Sequence, residues 1–251
     1  SMSRCLVKEI ENDLQLKFKN VIYLPGWTDI PNLSNLEKKN SKNYKFIFAS
    51  RIATHKGFNI VVDAIKNLTL NGINNFTVDF YGDGDISGLL NYINQQGITA
   101  YAKYCGNLSK ASLLVKYSEY DALLFPTWER EPFGFVIVEA MGQGAIPILT
   151  STCGASEWLI DDFNCLKVRR HHQYLSEAMV YLMSLSQSEL DNFKSQCKTS
   201  AQKLFDSKFV LTQLEDILIA KTLSFQSNHD IQKRTIQAEN ALSCLNTIFV
   251  S

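Results

Sequence analysis

Two carboxylates and two cations carry the chemistry this chain could do. Glu131 and Glu139 stand eight positions apart in "REPFGFVIVEAMGQGAIPI", residues 130–148, with Pro132, Phe133 and Gly134 between them and an apolar run after. An acid inside "FVIVEAM" has few exposed neighbours, so a functional role is favoured over that of an ordinary surface glutamate. Arg51 and Lys56 lie five apart in "SRIATHKG". Alone they would read as a solvated loop pair, but they follow a short apolar strand, where open α/β sheets bind ligands. The helix expected from Gly134 offers free backbone N–H groups and the positive end of a dipole, features that suit a phosphate.

The elements that must position these residues alternate. Strands are predicted at 45–50, 76–82, 100–106, 121–126, 145–150 and 164–168, with helices at 56–68, 85–97, 109–120, 134–142 and 154–160 between them. Strand and helix in alternation at short loop lengths mean crossover connections, a parallel sheet and a doubly wound, Rossmann-like α/β domain. After 170 the chain turns helical. Leu175, Ala178, Met179 and Leu182 share one face, further helices fit 188–203 and 207–222, and residues 224–230 read as a linker. A last helix at 231–249 carries the stripe Ile231, Ala238, Leu242, Leu245 and Phe249. The expected division is therefore 1–43, the end of a preceding unit with a strand at 20–25 and a polar connector; 44–185, the Rossmann-like domain; and 186–251, a helical extension.

Composition narrows the function classes. Lysine plus arginine equals aspartate plus glutamate at 25 each in 251 residues, which argues against a nucleic-acid binder relying on overall basicity. The six cysteines are scattered with no C-x-x-C, so a zinc site is not expected, nor any other metal. Apolar settings suggest buried thiols, and a reducing cytoplasm fits them best; the expected location is cytoplasmic, with the inner face of a membrane as an alternative. The opening Ser-Met reads as the remnant of a cleaved tag, so a piece of a longer protein is expected.

These motifs, in this order, resemble the retaining, nucleotide-sugar-dependent glycosyltransferases of family four, which have the two-domain GT-B fold. The resemblance covers roughly residues 20–185. The family's G-R-x(4)-K-G loop is similar to "SRIATHKG", with Ser50 at the usual glycine, and its strand ending in G-x-G is similar to "FYGDG". Its E-x(7)-E block resembles "EPFGFVIVEAMG", its G-G-x-x-E resembles "CGASE", and its D-x-x-N-G turn resembles "DDFNC". Cys153 and Cys165 replace family glycines, which puts the backbone of those two turns in question.

The resemblance implies a role for each residue. Arg51 and Lys56 would grip the donor diphosphate. Glu131 would hold the sugar hydroxyls, helped by the N–H groups of Phe133 and Gly134. Glu139 would bind the ribose hydroxyls, and Leu108 would border the base. Fixed cations and a helix N-terminus stabilise a departing diphosphate without a metal or resident cofactor, and ionised carboxylates accept hydrogen bonds from the diols of ribose and hexose. The substrate would be a UDP- or GDP-linked sugar and the acceptor a glycan or lipid-linked glycan, as in envelope polysaccharide synthesis. In the family an N-terminal Rossmann domain closes the cleft. It does not fit in residues 1–20, so the fragment is expected to bind donor and to transfer sugar poorly by itself.

Other readings remain open. The chain could be a nucleotide-sugar binding module, a GT-B epimerase or a dehydrogenase. "GDGDISG" approaches a dinucleotide fingerprint, but it has one residue too many before its third glycine and no acid about twenty residues on. Asp83-Gly84-Asp85 could hold a hard cation, yet the glycine turn favours Asp85 as a helix N-cap. His55 reads as a loop histidine and Trp128 as a packing residue or cleft wall. Glu157 could stabilise a helix N-terminus, and His171-His172 should open a helix.

Overall fold

Six parallel strands form the centre of the molecule: β1 (Tyr44–Ala49), β2 (Phe76–Tyr81), β3 (Ala102–Tyr104), β4 (Ala122–Phe125), β5 (Ile146–Thr150) and β6 (Leu166–Val168). Their order across the sheet is β3-β2-β1-β4-β5-β6. All neighbours pair in parallel, with Phe46 opposite both Val78 of β2 and Ala122 of β4. This computed structural model describes residues 1–19, 21–30 and 43–220. The predicted linker at 224–230, the helix at 231–249 and most of the connector at 31–43 lie outside the described residues.

Helices cover both faces, which is why the central strands carry near-continuous apolar runs. Helices α2 (Phe58–Leu70), α3 (Ile86–Gln96) and α6 (His172–Ser184) pack together on one side. The other side holds α4 (Lys110–Tyr117), α5 (Phe135–Gly142) and α7 (Gln187–Phe205), with α5 wedged between α4 and α7. Short starts explain the boundaries. Asp85 caps α3 by accepting from Gly88 N–H at 2.9 Å, Ser109 caps α4, and Ser186 with Glu189 forms a capping box on α7. His171 caps α6, so the histidine pair does open a helix.

Two expectations are corrected. Residues 21–25 form no strand and pair with neither edge of the sheet. The segment runs extended instead: Leu24 N–H donates to Ser1 O, and Thr28 makes a single parallel bridge to Asp206. The helix expected at 154–160 is a 3₁₀ turn, Gly154–Trp158. A helix that was not anticipated, α1 (Arg4–Leu14), packs on that turn. The chain forms two compact units, 1–207 and 208–251, so the N-terminal segment, the sheet and α7 belong together.

Candidate functional site

The sheet order reverses between β1 and β4, so the loops leaving these strands diverge around a crevice, the usual ligand position in an open α/β sheet. One loop carries Arg51 and Lys56; the other carries Glu131 and runs into α5. Backbone contacts hold them close. Trp128 N–H donates to His55 O at 3.0 Å, and the two rings lie 5.0 Å apart. Gly57, at φ 86°, lies so near Pro126 that a Cβ would sit 2.2 Å from its carbonyl oxygen, so only glycine fits. Arg170 braces the same loop from β6, donating to Thr54 O at 2.8 Å and His55 O at 3.3 Å.

The decisive contact is between side chains. The Lys56 ammonium donates to the Glu131 carboxylate and forms an ion pair with it, the two side chains being 22% and 11% exposed. Beside them Gly134, at φ 89°, is the N-cap of α5. Among the described residues no protein acceptor is recorded for the N–H groups of Phe133 and Gly134. The Phe133 ring itself is buried against Phe135, Phe205 and Gly26, so only its backbone faces this chemistry. The turn is fixed from below: Gly154 N–H donates to Glu131 O, and Ala155 N–H to Phe133 O.

Arg51 and Glu139 sit in separate contacts. Arg51 is 67% exposed, with its Nε 4.0 Å from Asp83 Oδ1, and its loop is laced to the next one by Ile52 N–H to Asp83 O and Asp85 N–H to Ile52 O. Glu139 is buried and meets Lys110 Nζ at 3.2 Å, while the same ammonium donates to Thr28 Oγ1 at 2.9 Å. Leu108, half-buried, lies two residues before Lys110 at the entrance to α4. Lys110, Thr28 and Arg170 were not read from the sequence. One signal was there: a lysine in the first turn of a helix opposes the helix dipole and implies an acid nearby.

The two cysteines at family glycines adopt ordinary backbone. Cys153 has φ −76°, and Cys165 is not among the residues with positive φ. Both thiols are buried, and that burial pushes each up to about 12. Glu157 does stabilise a helix N-terminus, that of α1, accepting from Arg4 N–H at 2.7 Å and Cys5 N–H at 2.8 Å. Among the described residues no helix is long and apolar enough to cross a membrane.

With this geometry in place, the sequence matches the model of the family described as glycosyl transferases group 1 over residues 29–203. The chain belongs to that family. A curated relative, an uncharacterized glycosyltransferase of Methanocaldococcus jannaschii, is 28% identical over 182 residues, covering 67% of this chain and 45% of its own. Less than half of that relative's length is thus represented here. Among solved structures, Anabaena HepE in complex with UDP and glucose superposes with a TM-score of 0.65 at 21% identity, covering 79% of this chain and 57% of that one. Sucrose-phosphate synthase from Thermosynechococcus elongatus gives 0.73 at 16%, covering 89% and 58%. The C-terminal domain of a group 1 protein (LpcC) from Francisella tularensis gives 0.59 at 18%, covering 66% and 88%. At these identities the likeness shows the fold, the Rossmann-like architecture of GT-B glycosyltransferases.

Proposed function

We propose that this chain is the donor-binding half of a retaining glycosyltransferase, which moves a sugar from a nucleoside diphosphate to an acceptor hydroxyl with the anomeric configuration kept. The observation that carries the reading is the Lys56–Glu131 pair at the strand-order reversal, beside the N-terminus of α5. An incoming diphosphate competes for the Lys56 ammonium and frees the Glu131 carboxylate to accept from sugar hydroxyls. Arg51, exposed at the mouth, swings in as the second cation. As the bond from the anomeric carbon to the diphosphate breaks, charge grows on the leaving oxygen. Lys56, Arg51 and the N–H groups of Phe133 and Gly134 stabilise it, so the step needs no resident metal or cofactor. Glu139 and Leu108 take the nucleoside. UDP named with HepE supports a UDP-linked donor, and GDP remains the other candidate.

The acceptor, a glycan or lipid-linked glycan, would be presented by a further Rossmann domain, in keeping with the 45% of the relative's length that is covered. On this reading the chain binds donor but turns it over poorly. Thermal melting of the chain with UDP, GDP, UDP-glucose and NADH tests it: a nucleoside diphosphate should raise Tm and NADH should not. Arg51→Ala should weaken nucleoside-diphosphate binding by about 1.5–3 kcal/mol, the worth of a charge-assisted contact. A rise with NADH alone would overturn the assignment.

A further inference from the structure

We propose that Lys110 is a positioning residue for nucleoside recognition, holding one oxygen of the Glu139 carboxylate so that the other is presented to a ribose diol. The inference rests on the reading of Glu139 as the ribose acid, and it assigns a residue outside the E-x(7)-E block. Three observations carry it. Lys110 is the first residue of α4, where the helix dipole disfavours a cation, so its place is explained by the acid it meets. Its ammonium touches Glu139 Oε1 at 3.2 Å and Thr28 Oγ1 at 2.9 Å, so it is tethered from two sides. The exposures differ sharply: the Lys110 side chain is 62% exposed and that of Glu139 8%, which puts the lysine at the rim and the acid behind it.

A carboxylate has two acceptor oxygens, and occupation of one by an ammonium leaves the other with its lone pairs in a fixed plane. A hydroxyl pair entering past Leu108 meets an acceptor that is already oriented. Tyr117, seven residues along α4, lies close enough to Glu139 to feel its charge. It is fully buried, and its hydroxyl has no hydrogen-bond partner among the described residues. Burial and the Glu139 charge hold that phenol protonated and neutral, so the charge that holds the Glu139 carboxylate comes from Lys110. Lys110 therefore acts on the nucleoside through the carboxylate it holds.

The test is a calorimetric titration of the chain with UDP, GDP and their 2′-deoxy counterparts. Wild type should prefer ribose over 2′-deoxyribose by about tenfold, the worth of one hydroxyl whose loss leaves a buried acceptor unpaired. Lys110→Met should bring that ratio down to about threefold or less by weakening the ribonucleotide selectively, and Lys110→Arg should restore it. Lys110→Gln, equally soluble, should behave as Lys110→Met. Arg51→Ala should weaken ribo and deoxy forms alike and leave the ratio untouched. An unchanged ratio in Lys110→Met and Lys110→Gln overturns the role of Lys110 while leaving the donor site standing. A wild type with no preference for ribose removes Glu139 and Lys110 together, and absence of any nucleoside-diphosphate binding removes the donor reading itself.

Discussion

The two acids of residues 131–139 each meet a lysine, yet the two pairs are built differently. Glu131 and Lys56 come from loops on either side of the crevice, 75 residues apart in sequence, and both side chains are largely shielded. Glu139 and Lys110 come from helices packed side by side; the acid is buried and the lysine stands mostly in water. The first pair is mutual neutralisation inside a crevice, which on the proposed reading a diphosphate would open. The second is a buried acceptor held by a solvated clamp, which on the same reading a ribose would join without breaking it. One motif would then combine a contact to be exchanged with a contact to be kept.

Substitutions can break this contrast, and the largest effect should come from beneath the first pair. Phe133→Ala empties the site of a ring buried among Phe135, Phe205 and Gly26, and should cost about 3–5 kcal/mol in denaturant unfolding. Lys56→Met and Lys110→Met each strand a carboxylate that is about as shielded as the other, and each should cost about 1–3 kcal/mol. A loss well below about 1 kcal/mol from Lys56→Met would mean that the first pair is open to water. Gly154→Ala places a methyl 1.8 Å from Pro132 O and should destabilise by about 1–3 kcal/mol, with nucleotide affinity falling too as the Glu131 turn shifts. Least in energy but useful as a reporter is Cys153, directly before that turn's support. With its thiol pushed up to about 12 it stays protonated at pH 8, so a thiol reagent should spare it in the native protein and label it on unfolding. Rapid native labelling at Cys153 would mean that the turn opens.

Much of this was legible in the sequence because it is local. Strand and helix alternation is written in hydrophobic period, and the order of Arg51, Lys56, Glu131 and Glu139 is written in motif spacing. What was not legible depends on packing. Lys110 reaches Thr28 across 82 residues and Arg170 reaches Thr54 across 116, pairings that no local pattern encodes. Residues 20–25 have the composition of a strand, but the chain just after them docks against the end of α7 instead, with Thr28 N–H on Phe205 O and a single bridge to Asp206. Glu157 was foreseen as a helix stabiliser, but which helix it serves is decided by α1 docking 152 residues upstream.

The stitching of the crevice loops has a kinetic consequence. Trp128 N–H on His55 O, Arg170 on the Thr54 and His55 carbonyls, and glycine at 57 leave little backbone to organise when a small anionic molecule arrives. On the proposed reading, entry there would exchange side-chain partners in a crevice whose backbone is already formed, so most of the ordering entropy would have been spent in folding. Capture should then keep pace with diffusion, and differences in affinity among ligands should be expressed in how slowly each one leaves.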